Sequence, residues 1–430
     1  LITVTLRRSA SVMLVNLAGV AVGFLLQLFL TNSLPIDVYG TYAFYVSLTG
    51  FSVVVAKFGS DLSANRYLPS IIESDNLKLF NHFNLRAVIL VALMSLLISL
   101  LYALLQYIGS SSLVEISFLV FFLIIILFSV SQYFCAVIQA IGLSIYSQSI
   151  LNVCRPIIFL GMVLISVNIY SDSDISSVMT MYGISSGVCI IIASVIIYKN
   201  LPQGAGSLLN VDKRVDFSTW LKTSASLSLV VFLNLIVNQF DLLYLGISGS
   251  AIDVAKYNVM LRVSTFVQFP TVAAGLVLAP KIALAWDKGE RKKLEQLIST
   301  IVAPAFALCV LIALAIIFFS EEIFQLFGGE YSINNSDLVI VISARLINAI
   351  GGISGYIMTM TGNHKDAIKV LVVASLVSIS FSSLLIPEFG IEGAVYVNLA
   401  ASMCWVLMMS YFVVVRTGIS PIFLIRKVKT

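Results

Sequence analysis

Twelve separate runs of about 20 apolar residues, each able to cross ~30 Å of hydrocarbon as a helix, constrain this chain more than any other feature. They fall at about 10–32, 39–60, 86–107, 113–139, 145–168, 175–198, 219–246, 254–280, 297–320, 335–360, 367–387 and 391–415. Hydrocarbon offers no partner to a backbone N–H or C=O, so each run must satisfy its own backbone as a helix. The sequence therefore predicts an all-α membrane protein with twelve transmembrane helices. Only 11% of the 430 residues are charged and mean hydropathy is +1.04, too apolar for a soluble chain of this size. The first run, from about Ser11 to Leu30, is longer than a signal-peptide core and lacks a small-residue cleavage site, so it reads as the first membrane helix.

Orientation follows from the basic residues, which stay on the cytoplasmic side. With the N-terminus inside, twenty of the 25 basic residues fall at cytoplasmic ends and loops, among them Arg7, Arg8, Lys213, Arg214, Lys292 and Lys427, and Lys256 alone falls outside. The remaining four, Lys57, Arg155, Arg262 and Arg345, lie within predicted helices. Inserting or deleting one helix would spoil this alternation, so both termini are expected to be cytoplasmic. The net charge of +4 is this bias and calls for no nucleic acid; the basic loops are expected to lie against anionic membrane lipid. The outside loops are short and hold acids, Asp172 and Asp174 in one, Glu321, Glu322 and Glu330 in another.

The longest polar connector between helices, KNLPQGAGSLLNVDKRVDF at 199–217, divides the helices six and six. The expected organisation is a six-helix lobe at 1–200, a cytoplasmic linker at 201–217 and a second six-helix lobe at 218–430. An offset of 215 aligns Ser9-Ala10-Ser11 with Ser224-Ala225-Ser226, Tyr42 with Tyr257 and Arg66 with Lys281, and an offset of 220 aligns Gly142 with Gly362. Two lobes that both start inside are related by an axis along the membrane normal, as in transporters built from parallel repeats, and enclose a central cleft.

The intramembrane cations are the first candidates for function. Arg155, Arg262 and Arg345 lie about eight to ten residues inside their helices, where a guanidinium costs roughly 2.5–3.5 kcal/mol or more unless it faces water or a partner. Arg155 has no acid expected at its depth; with Pro156 beside it and Asn152 one turn before it on roughly the same face, it is expected to line a cavity and bind an anion. Asp241, near the outer end of the seventh helix, is placed by a hairpin at the level of Arg262. That pair serves equally as a structural ion pair or as part of a ligand site, and Asp241 is also a candidate for coupling an ion. Lys57, close to a cytoplasmic end, either snorkels to headgroups or joins the site. Polar residues Asn16, Gln27, Asn234, Asn238, Gln239, Asn258, Gln268, Asn348 and Asn398 add helix-to-helix hydrogen bonds or binding groups.

Enzyme constellations are missing from the sequence: there is no phosphate-binding G-x-x-x-x-G-K-[ST], no H-E-x-x-H and no G-x-S-x-G. Cys135, Cys154, Cys189, Cys309 and Cys404 stand singly in apolar runs and are expected in the core. His82 and His364 have no second ligand at metal spacing, so no cofactor or metal is expected.

The opening RRSASVMLVNLAGVAVGFLLQLFLTNSLPIDVYGTYAFYVSLTGFSVVVAKFGSDLSANRYLP, the segment FDLLYLGISGSAIDVAKYNVMLRVSTFVQFP and the late LIPEFGIEGAVYVNLAAS together resemble Wzx-type flippases of O-antigen and other polysaccharide repeat units. Those belong to the multidrug/oligosaccharidyl-lipid/polysaccharide exporter superfamily. The resemblance implies two pseudo-symmetric six-helix bundles in the MATE manner around a cationic cavity in a bacterial inner membrane. It implies a substrate, undecaprenyl-pyrophosphate-linked glycan, moved from the cytoplasmic to the periplasmic leaflet. A polysaccharide polymerase and chain-length proteins are then possible partners. Lys57, Arg155, Arg262 and Arg345 would carry the cavity's charge. The lipid II flippase relatives usually have fourteen helices where this chain has twelve. A multidrug or toxin exporter of the same fold remains the alternative, with buried carboxylates as its expected mark. A polysaccharide polymerase or ligase is disfavoured by the absence of a large outside loop.

Overall fold

The computed structural model describes residues 2–74, 77–108, 116–170, 174–200 and 217–419. The described residues form helices joined by short turns, with no strand. In order they form α1 (Ile2–Ser33), α2 (Ile36–Lys57), α3 (Ser60–Glu73), α4 (Leu77–Ile108), α5 (Phe118–Ala140), α6 (Ser144–Ser149), a π-turn (Ile150–Cys154), α7 (Arg155–Tyr170), α8 (Ile175–Asn200), α9 (Phe217–Ser248), α10 (Ala251–Asp287), α11 (Arg291–Phe318), α12 (Ser320–Gln325), α13 (Asn335–Met360), α14 (His364–Phe389) and α15 (Ile391–Thr417). Twelve stretches are long and apolar enough to cross a membrane, α6, the π-turn and α7 counting as one. This is a multi-pass membrane protein, as the hydropathy pattern predicts.

Residues 61–85, left by the sequence as a connector, are largely helical. α3 is a short helix with Ser60, Ser63, Ala64, Leu68 and Ile71 buried; too polar to cross the bilayer, it lies as an amphipathic turn of chain between two spans. The break that makes it is a consecutive left-handed pair, Phe58 (φ 49°) and Gly59 (φ 72°). Gly59 is required twice over, for its backbone angle and because any Cβ there would run into the carbonyl oxygen of Ser224.

The chain forms two compact units, Leu1–Phe232 and Leu233–Thr430. The expected linker at 201–217 lies outside the described residues except for Phe217, which opens α9. The division itself falls inside α9, whose first turns pack within unit 1. There Trp220 Nε1 donates to Ser63 Oγ (2.8 Å), and the Trp220 ring meets Phe83 edge-on. In unit 2, Ser375 and Ser378 of α14 donate to the carbonyls of Leu233 and Ile236 (3.1 and 3.4 Å). Small hydroxyl residues let helices approach closely where no hydrophobic force drives them together in lipid.

Outward faces are apolar. On α4, Leu93, Leu97, Leu100 and Leu104 form one stripe, each at least half exposed, which in hydrocarbon is a solvated surface. Each unit has its own packed interior: Leu68, Phe80, Phe83, Tyr133 and Trp220 in unit 1, and Leu278, Ile298, Ile357, Val370 and Val413 in unit 2.

Candidate functional site

In unit 1 the site is organised by the π-turn. Pro156 has no N–H to return to the carbonyl of Asn152, and the N–H of Arg155 donates five residues back, to Ile150 O. The widened turn rotates Arg155 away from Asn152, so the expectation that the two share a face is corrected. Asn152 faces α1, where its Nδ2 donates to Asn16 Oδ1 (2.9 Å) and to Gln148 Oε1 (3.0 Å). The two helices touch here at Gly19, where a Cβ would stand 2.6 Å from that of Asn152.

Arg155 turns toward α5 and places its guanidinium 4.3 Å from the centroid of Phe128. Phe128 stacks on Tyr182 (5.4 Å), and Tyr182 meets the edges of Phe159 (5.4 Å) and Tyr42 (6.3 Å). A cation over an aromatic face keeps its charge and all its N–H donors. Arg155 lies eleven residues beyond Ser144, about 17 Å along the helix and so near mid-membrane. Among the described residues no ion pair to a carboxylate is formed by Arg155.

Lys57 is not held at the headgroups. It is 8% exposed, and its Nζ donates to Asp61 Oδ2 and to Gln132 Oε1, both at 2.6 Å. The left-handed break at Phe58 and Gly59 folds Asp61 back beneath it, which a straight helix end would not do. The snorkelling expectation is corrected: the ammonium is neutralised inside unit 1.

In unit 2 the expected pairing of Asp241 with Arg262 is also corrected. Asp241, 2% exposed, accepts from Tyr257 Oη (2.6 Å), Asn398 Nδ2 (2.7 Å) and the backbone N–H of Leu242 (2.8 Å). The hairpin between α9 and α10 does bring acid and arginine to similar levels. However, the inner face of α10 carries Tyr257, and five residues of helix carry Arg262 well round to the other side.

The cation near Asp241 is Arg345 on α13. It is 6% exposed, its Nε donates to Ser264 Oγ (3.3 Å), and it lies within electrostatic reach of both Asp241 and Tyr257. The cluster Asp241, Tyr257, Asn398, Arg345 and Ser264 is therefore charge-balanced.

Arg262 is exposed and has no hydrogen bond, ion pair or ring contact among the described residues. It stands eleven residues from the start of α10, about 17 Å along its axis. Exposed polar residues elsewhere in unit 2 include Asn234 and Asn238 on α9, joined by Asn238 Nδ2 to Asn234 Oδ1 (3.0 Å). Gln27 and Asn348, by contrast, are used internally, accepting from Tyr39 (2.5 Å) and donating to Ser402 (3.0 Å).

Of the four intramembrane cations, then, Lys57 and Arg345 are balanced by acids while Arg155 and Arg262 are not, one in each unit. Asp61 follows Lys57 by four residues, a signal the sequence contains. Phe128 and Gln132 sit in an unbroken apolar run, and nothing in their spacing marks them. Among the described residues no group of His, Cys, Asp and Glu could hold a metal ion, and all five cysteines are free.

Comparison with known proteins agrees with this architecture. The sequence profile described as polysaccharide biosynthesis protein matches residues 5–286, and that of MatE matches residues 226–384. The uncharacterized membrane protein MJ1068 of Methanocaldococcus jannaschii is 23% identical over 404 residues, covering 87% of this chain and 76% of its own. Among solved structures, an inward-facing multidrug resistance MATE family transporter of the MOP superfamily superposes with a TM-score of 0.71 at 13% identity, over 94% of this chain and 98% of that one. A MOP superfamily transporter from Pyrococcus furiosus, described as having a binding pocket of reverse polarity, gives 0.62 at 15% identity over 96% and 95%. The fold is that of the MATE transporters.

Proposed function

This chain belongs to the family of polysaccharide biosynthesis proteins, and from that premise we propose that it is a flippase for undecaprenyl-pyrophosphate-linked oligosaccharide, an O-antigen or capsular repeat unit. The direction is from the cytoplasmic to the periplasmic leaflet of a bacterial inner membrane, with both termini cytoplasmic. The observation that carries this reading is the pair of unbalanced guanidiniums, Arg155 and Arg262, at mid-membrane depth.

A pyrophosphate cannot enter hydrocarbon without its charge being met. Guanidinium meets it with paired charge-assisted hydrogen bonds, and does so most strongly where water is scarce. Arg155 is presented on an aromatic bed that leaves its donors free, with the amides of Asn152, Asn16 and Gln148 on the adjoining face for sugar hydroxyls. Lys57 in unit 1 and Arg345 in unit 2 are each already engaged within their own unit. Asp241 is the group through which an ion would couple: gaining a proton there would disturb the bonds from Tyr257 and Asn398 together. The exporter alternative needs an open carboxylate for a cationic drug, and Asp241 is closed on all sides by donors. Movement follows alternating access, with the polyprenyl tail staying outside the hydrophilic path.

The test is translocation of lipid-linked oligosaccharide in inverted membrane vesicles at matched expression. A charged hydrogen bond contributes about 1.5–3 kcal/mol, so Arg155→Ala and Arg262→Ala are each expected to lower transport roughly ten- to hundredfold. Arg155→Lys should recover part of the loss, because it restores charge without the paired geometry. Full transport by both alanine variants would remove the anion-binding role.

A further inference from the structure

Unit 2 carries an apolar groove of about 480 Å³ on an exposed face, between α14 and α15, lined by Phe381, Leu385, Phe389, Tyr396, Leu399, Ala400 and Met403. Its two walls are helical stripes. Phe381, Leu385 and Phe389 recur every four residues along α14, and Tyr396, Leu399, Ala400 and Met403 follow three- and four-residue steps along α15. Ala400, small between larger neighbours, leaves the floor open. The inner faces of the same helices are polar and spoken for, Ser375 and Ser378 by α9 and Asn398 by Asp241.

The groove begins near the α14–α15 turn at Gly390 and ends at Phe381 and Met403, about 13–18 Å along the helices. That is close to half of a ~30 Å hydrocarbon core. It therefore runs from one membrane face to about the midplane, and hydrocarbon must fill it.

The acids at its mouth discriminate between chains. Glu388 and Glu392 are exposed beside Gly390, and Glu392 lies within electrostatic reach of Asp337 at the start of α13. A phospholipid chain in the groove would hold its phosphate directly above these carboxylates. A polyprenyl chain is longer than one leaflet is deep, so its distal end can enter from the midplane while its pyrophosphate stays far from them.

We propose that this groove receives the distal segment of the substrate's polyprenyl tail, an inference that rests on the flippase reading above. Because lipid tails are as apolar as the groove, selectivity comes from packing of a methyl-branched chain against the Phe381, Phe389 and Tyr396 rings and not from transfer out of water. It is accordingly modest.

The experiment is photolabelling of the full chain in lipid nanodiscs with polyprenyl phosphate bearing a diazirine near its distal end. A phosphatidylcholine with a diazirine in its acyl chain serves as comparison, with labelled peptides mapped by mass spectrometry. The polyprenyl probe should concentrate on 381–403 by several-fold over other lipid-facing segments, and unlabelled polyprenyl phosphate should compete. Ala400→Phe, which fills the floor, should abolish the enrichment. Met403→Trp, at an exposed rim position that folding tolerates, should reduce it several-fold. Uniform labelling, equal enrichment by the phospholipid probe, or unchanged labelling in the Met403→Trp protein would overturn the proposal. Labelling is read without transport: glycan translocation with no enrichment here sinks the groove and spares the flippase reading, whereas enrichment in a protein that moves no glycan does the reverse.

Discussion

Replacing Asp241 should unbalance unit 2 in a way that a second substitution repairs. Asp241→Ala leaves the Asn398 amide without its acceptor, the Tyr257 hydroxyl with only its longer bond to Ala394 O (3.3 Å), and Arg345 without its nearby counter-charge, all in a region 6% exposed or less. Each buried donor deprived of its acceptor costs about 1–3 kcal/mol, and the uncompensated Arg345 charge adds to this, for a total of about 3–5 kcal/mol. For a unit of this size ~1 kcal/mol moves the unfolding midpoint by about 2–4 °C, so the melt should fall by roughly 6–20 °C. Arg345→Met alone should cost less, because Asp241 keeps three donors. The double variant Asp241→Ala with Arg345→Met removes both charges, and it should melt well above the sum of its single effects, with a coupling of about 1–3 kcal/mol. Thermal unfolding of purified protein in detergent, followed by fluorescence-detected size exclusion, measures all four corners of the cycle. Single effects that simply add would show that Arg345 and Asp241 do not feel each other, and the charge-balanced cluster would be wrong.

Three further outcomes follow from unit 1. Lys57→Met should destabilise by about 2–3 kcal/mol, somewhat less than a wholly buried pair because the Asp61 side chain is 19% exposed. Combining it with Asp61→Leu should recover most of that in the same melting assay. Gly59→Ala should cost at least ~1–2 kcal/mol for its left-handed backbone alone, plus the displacement of Ser224, and Gly59→Asn should be milder than Gly59→Val; expression level and melting midpoint read both. Phe128→Leu removes the ring beneath Arg155, a contact of about 0.5–2 kcal/mol, and should lower transport several-fold with little change in melting, whereas Phe128→Trp should keep it.

The membrane helices were legible because hydropathy at the scale of a whole span averages over local error: the tenth expected span, 335–360, coincides with α13. Side-chain pairing was not, for reasons visible at particular residues. Arg262 and Asp241 have the right depths but the wrong azimuths, and depth is all that a residue count supplies. Lys57 and Asp61 are four apart in sequence, yet their pairing depends on the left-handed turn at Phe58, a conformation that sequence gives no reason to assign to phenylalanine. Gln132 reaches Lys57 from a helix 75 residues away, a distance over which no periodicity speaks. Arg155 was found because an unpaired guanidinium is rare in such a run; its aromatic bed was hidden because Phe128 is one apolar residue among many.

The π-turn at Ile150–Cys154 also divides its membrane helix into two segments whose rotational phases do not match. Residues up to Ser149 and residues from Arg155 onward each keep a regular helical repeat, but the second is offset from the first by the extra residue held in the turn. A substitution scan through Ser144–Tyr170 would accordingly show sensitivity peaks that keep step within each segment and jump between them. Removing one residue from 150–154 would bring the segments into phase, swinging Arg155 off the Phe128 ring while leaving the composition of the span almost unchanged.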